Sequence, residues 1–143
     1  MNAPERPACA ALISYMHGDD DLWYQLRMIW EWKDDEFRRL VEISMRCLEE
    51  IEPDDSVDRS VVYFFCSYLP SLERLMQQPD FIVFNREGRA ESETKAYFAA
   101  RIEIIHKLMS WVSNGKRPHP LTDFILPGGT RAAAALHRVA LAD

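Results

Sequence analysis

The 143-residue chain carries 23 acidic and 17 basic side chains, a formal net charge of −6, and is 48% hydrophobic and 28% charged. These proportions fit one globular domain spanning 1–143, large enough to bury about 68–70% of its unfolded surface. They exclude a disordered or collagen-like chain, and no apolar run approaches the roughly 18 residues of a membrane span.

In chain order, the first element is a short helix from about Pro7 to Met16, ending at Gly18. The N-terminal run "MNAPERPACAALISYM" lacks the charged-then-apolar order of a signal peptide. Cys9, Cys47 and Cys66 are widely spaced and odd in number, so no disulfide framework is implied and the expected location is cytoplasmic. From Leu22 the apolar residues Leu26, Ile29, Trp30, Phe37, Leu40, Val41, Leu48 and Ile51 recur at three- and four-residue steps, the signature of a helix. Asp19, Asp20 and Asp21 supply its cap and suit the positive end of its dipole. Pro53 closes it, with a break expected near Asp34-Asp35.

A second helix begins near Ser56 and carries Val57, Val61, Phe64, Phe65, Tyr68, Leu69, Leu72, Leu75 and Met76. Pro70 should kink it, because proline lacks an N–H and crowds the preceding turn. Pro79 should stop it. "FIVFNREGR" then breaks the helical period, and residues 81–89 read as a short irregular or strand-like segment. A third helix runs from a cap at Ser92 to a left-handed stop at Asn114-Gly115. After the polar loop "KRPHP", a final helix starts at Thr130. The expected fold is all-α, a compact bundle of four to five helices.

Charge is unevenly placed. Between Asp19 and Asp58 stand fourteen acidic and five basic side chains, a net of −9, while the remainder nets +3. Phosphates would be repelled by the first half, so nucleic acid is not an expected ligand. Two readings of the acidic half stand side by side: a solvated helix face, or a surface for a basic protein partner, since opposite fields accelerate encounter. Trp32 and Tyr24 lie off the face shared by Trp23, Leu26 and Trp30 and, if exposed, would anchor an interface. Trp32, Asp34, Asp35 and Glu36 are therefore the candidate partner-binding residues.

Catalytic and metal signals are incomplete. Glu103 and His106 have the Glu-x-x-His spacing of di-iron bundles, but no second such motif exists. The four histidines and three cysteines lack zinc spacing, and no metal site is expected. Cys66, in "YFFCSYL", falls on the expected core face and reads as a small buried hydrophobe. No Gly-x-Ser-x-Gly elbow occurs, and no catalytic residue is assigned.

The C-terminal "PLTDFILPGGTRAAAALHRVALAD" holds a Pro-Gly-Gly turn opening onto a helix N-terminus, a geometry that suits anions. The string "PLTDFILPGGTRAAAALH" resembles the signature of the trimeric helical-bundle ATP-dependent cobalamin adenosyltransferases. The resemblance covers residues 120–137. It implies that Phe124 faces a corrin ring and that Pro127, Gly128, Gly129 and Thr130 shape the pocket, with cobalamin and ATP as ligands. The family's arginine three residues after the histidine is Ala140 here, and its Thr-Arg-x-Gly-Asp-x-Gly phosphate loop is absent. Without those cations a triphosphate is neither held nor stabilised as it leaves.

The leading expectation is accordingly a non-catalytic cytoplasmic protein that docks a protein partner, for example an immunity-type inhibitor of a basic toxin, with no cofactor. An adenosyltransferase-like enzyme or degenerate corrinoid binder is the alternative. An oligomeric structural protein is the third, and homo-oligomerisation stays open in all three.

Overall fold

A computed structural model describes residues 5–53 and 56–116. The expected helix at Thr130 lies outside the described residues.

The fold is all-α. Helix α1 (Pro7–His17) has Pro7 in its first turn, where the missing N–H costs nothing. Its next free N–H groups, those of Ala8 and Cys9, donate to the Glu50 carboxylate at 2.9 and 3.1 Å. Glu50 sits in α3 (Asp34–Ile51), so α1 is capped by the helix it packs against.

The thirty-residue stretch is two helices, its break falling just ahead of Asp34-Asp35, close to where it was expected. α2 (Leu22–Ile29) stops at Trp30, whose φ of 58° is left-handed. A bulky side chain there is uncommon and strained. Asn85 holds the bend in place: its Oδ1 accepts from the Trp32 N–H at 2.7 Å, and its Nδ2 donates to the carbonyls of Trp30 and Phe81. The Trp30 ring packs against Phe81 and Phe84 at 5.6 and 5.3 Å. Helix α3 then begins one turn further on with three acidic residues in its first turn, which favours that end of the dipole.

The second expected helix starts at Arg59, slightly later than Ser56. It runs as α4 (Arg59–Tyr63), a π-helical turn (Phe64–Tyr68) and α5 (Leu69–Met76). Pro70 explains the wide turn. In a regular helix its ring would press on the Cys66 carbonyl, and widening the turn relieves that clash. The Leu69 N–H accordingly reaches back five residues to the Phe64 carbonyl. Phe64, Phe65 and Tyr68 turn into the core, whereas Cys66 points outward. The expectation of a buried Cys66 is corrected by this turn, which breaks the 3.6-residue phase used to place it.

Residues 79–84 form a short helix, α6 (Pro79–Phe84), at the start of the segment 81–89 expected to be irregular or strand-like. Pro79 starts this helix as well as ending the stretch before it, and Phe81 and Ile82 are buried against α7 (Glu91–Asn114). Only Asn85–Arg89 is irregular, with Glu87 and Gly88 at positive φ. α7 is capped at Ala90, not Ser92, and stops as expected at a left-handed Gly115. It lines the bundle, touching α3, the π turn, α5 and α6, while α3 also packs against α1 and α2. Phe37, Leu40, Val41, Leu48, Phe98, Ile105, Leu108 and Trp111 fill the space between them.

Candidate functional site

The acidic triplet at the start of α3 was the expected partner surface, and the structure turns part of it inward. The Asp34 carboxylate takes a two-pronged hydrogen bond from Arg101, Oδ1 to Nε at 2.7 Å and Oδ2 to Nη2 at 3.1 Å. Arg101 is 1% exposed, donates also to the Tyr97 carbonyl, and lies 3.3 Å above the Tyr97 ring. Trp32 Nε1 donates to Asp34 at 3.1 Å. Burial raises the Asp34 pKa, but the Arg101 hydrogen bonds and charge together outweigh it and leave it lowered. Burial pushes the Tyr97 phenol up to about 12, against the pull of Arg101.

Trp32 is 5% exposed, with its ring against Phe37, Phe81 and Phe98. It belongs to the core and is not a surface anchor. The cause is the Trp30–Lys33 bend, which an uninterrupted helix would not contain. Asp35 is exposed, and Glu36 is half-buried beside Arg39 at 3.8 Å. The four residues therefore divide between an interior ion pair and a solvated helix end.

The earlier triplet builds a different arrangement. Asp21 caps α2 and is 4% exposed. Its Oδ2 accepts from the Tyr24 N–H at 3.4 Å and from the Tyr68 hydroxyl at 2.5 Å. The Tyr68 oxygen accepts from the Trp23 N–H, and the Tyr15 hydroxyl accepts from the Leu22 N–H. The first three N–H groups of α2 are thus consumed by three side chains from three elements, leaving none to bind an anion. Burial drives the phenols of Tyr15 and Tyr68 upward, and the Asp21 hydrogen bond adds to this at Tyr68. Both stay neutral near pH 7, so neither serves as a base.

Beside this cap lies a cleft of about 260 Å³, walled by Met16, His17, Trp23, Tyr24, Arg27, Tyr63 and Tyr68 with Asp21 at its base. That is just below the roughly 300–1,000 Å³ of drug-sized ligand sites. Tyr24 and Tyr63 of its wall are exposed. All seven large hydrophobic side chains that are exposed among the described residues belong to α2, α4 and α6: Tyr24, Met28, Ile29, Val62, Tyr63, Val83 and Phe84. Met28 is 67% exposed, and Tyr63 and Phe84 are 56%. Tyr24 and Met28 stand one helical turn apart on one face of α2. Of the two aromatic residues singled out in the sequence, Tyr24 is the one at the surface.

Among the described residues, no group of three His, Cys, Asp or Glu side chains could hold a metal ion. His106 pairs instead with Glu73 of α5 at 2.5 Å. Phe124, Pro127, Gly128, Gly129 and Thr130 lie outside the described residues. Searches of family models, curated proteins and solved structures find no match to the chain.

Proposed function

We propose that this chain is a non-catalytic binding protein whose apolar face on α2, α4 and α6 docks a basic protein partner. The observation that carries the reading is the confinement of every exposed large hydrophobic, among the described residues, to those three short helices. Exposed apolar residues that lie together mark interaction surfaces, and here Tyr24 of α2 and Tyr63 of α4 share the cleft wall while Phe84 of α6 packs on Trp30 at the end of α2. Charge selects the partner. The exposed Asp19, Asp20, Glu31 and Asp35 lie in the segment that nets −9, next to this face in sequence. A basic surface with an apolar or aromatic anchor fits it, the anchor entering the cleft between Tyr24 and Tyr63. A second copy of the chain, with the same net charge of −6, would be repelled. The reading belongs to the cytoplasm, where thiols rest reduced. No described helix is long and apolar enough to cross a membrane.

The test is affinity capture from cell extract by the immobilised full chain, in parallel with Tyr24→Ser/Met28→Ser and a distant control, Glu93→Gln. The expected result is a basic protein held by wild type and control, released by salt and lost in the double variant. Capture indifferent to Tyr24 and Met28 would refute the reading. So would light scattering that shows a homo-oligomer dissociated by the same two substitutions.

A further inference from the structure

Two cysteines read from the sequence as unrelated meet in the core. Cys9 of α1 and Cys47 of α3 are fully buried, and their sulfurs stand 2.9 Å apart across a sequence separation of 38. The Cys47 thiol donates to the Cys9 sulfur, and the Cys9 thiol donates to the Cys47 carbonyl at 3.6 Å. The spacing discriminates between uses of a thiol pair. Two thiolates sharing a tetrahedral zinc ion at about 2.3 Å each stand roughly 3.8 Å apart, wider than observed. A disulfide of about 2.05 Å is reached by an approach of under one ångström.

We infer that Cys9 and Cys47 form a reversible disulfide, made at the expense of a low-molecular-weight disulfide such as oxidised glutathione, that latches α1 onto α3.

The helix being latched is a short one whose first free N–H groups, those of Ala8 and Cys9, are held by the Glu50 carboxylate. While α1 is docked, burial keeps both thiols protonated and shielded, with Cys47 the more strongly raised. The exchange therefore proceeds when α1 lifts. The Cys9 thiolate attacks one sulfur of oxidised glutathione and expels a glutathione thiolate, giving a mixed disulfide. On re-docking, the Cys47 sulfur attacks the Cys9 sulfur and expels the second glutathione. The two protons lost by the protein are taken up by the two glutathione thiolates, so one disulfide is consumed for one formed.

The consequence reaches the cleft, because α1 supplies Met16 and His17 to its wall and Tyr15 to the cap of α2. The inference is independent of the docking reading, since cross-linking is measured without any partner.

The test uses the full chain with the exposed Cys66→Ser, which prevents cross-links between molecules. The protein is equilibrated with oxidised glutathione, quenched with alkylating agent in denaturant, then weighed intact and mapped without reduction. The expected result is loss of two hydrogens, a linked peptide pair holding Cys9 and Cys47, and a melting temperature higher by about 10 °C that reductant reverses. Glu50→Gln, which loosens α1, should speed cross-linking several-fold. A Cys9→Ser/Cys66→Ser chain should show neither the linked pair nor the rise. Recovery of both cysteines alkylated, or each capped separately by glutathione, would overturn the inference, as would a cross-linked chain that melts no higher than the reduced one.

Discussion

The triplets Asp19-Asp20-Asp21 and Asp34-Asp35-Glu36 look alike in sequence, and each turns one carboxylate inward, yet the two are satisfied in opposite ways. Asp34 meets a guanidinium, and its charge is cancelled by Arg101 between α3 and α7. Asp21 meets neutral donors, a phenol and a backbone N–H, at the start of α2. The first arrangement fills its space and locks two long helices. The second finishes a helix end and leaves a cleft and an apolar face open beside it. Local composition therefore does not decide whether an acidic cluster is structural or available; the partner arriving from elsewhere in the chain does.

The largest effect should come from breaking the filled arrangement. Arg101→Met strands a largely buried carboxylate and should cost about 3 kcal/mol in urea unfolding. Asp34→Leu added to it should recover most of that, because an apolar pair fits the same space. A cost under about 1 kcal/mol would show that the pair is not a lock. The same pair sets an acid response. With its pKa lowered in the folded state, Asp34 adds stability above the unfolded carboxyl value of about 3.9. That stability is lost as pH falls through this value toward the folded one. Arg101→Met should flatten this part of the stability profile, and an unchanged acid limb would assign it to other carboxylates.

Next comes the bend that sets the two arrangements apart. Asn85→Ala removes the acceptor of the buried Trp32 N–H and the donor to two carbonyls, a loss of about 2 kcal/mol by chemical denaturation. A smaller effect follows at the cap. Tyr68→Phe deprives Asp21 of a hydroxyl donor and the Trp23 N–H of its acceptor, for about 1–2 kcal/mol. Loss at Tyr68 as large as at Arg101 would erase the distinction between the two sites. The smallest effect on stability, under about 0.5 kcal/mol, belongs to Tyr24→Ser/Met28→Ser on the open face.

The helical class and the α7 stop at Gly115 were legible because apolar spacing and a left-handed glycine are local signals. Of the segment 81–89, read as irregular or strand-like, Asn85–Arg89 is irregular while Phe81–Phe84 is helical, because "FIVF" is too short to show a period and burial against α7 decided its state. The phase error at Cys66 came from the π turn ahead of Pro70, which no periodicity count anticipates. The role of Arg101 is not legible in the sequence, since its partner lies 67 residues away. A lone cation between Tyr97 and the apolar Ile104-Ile105 step was the available hint. Asn85 gave no hint at all, because what it bonds is backbone exposed by the Trp30 bend. Tyr24 was found and Trp32 misplaced for one reason: only the first precedes that bend.

The most direct test of the docking face is a calorimetric titration of the captured basic partner against wild type and Tyr24→Ser/Met28→Ser. About a tenfold or greater loss of affinity at an unchanged melting temperature is the result expected of an anchor pair. Equal affinities for the two chains would contradict the assignment of α2 as the binding surface.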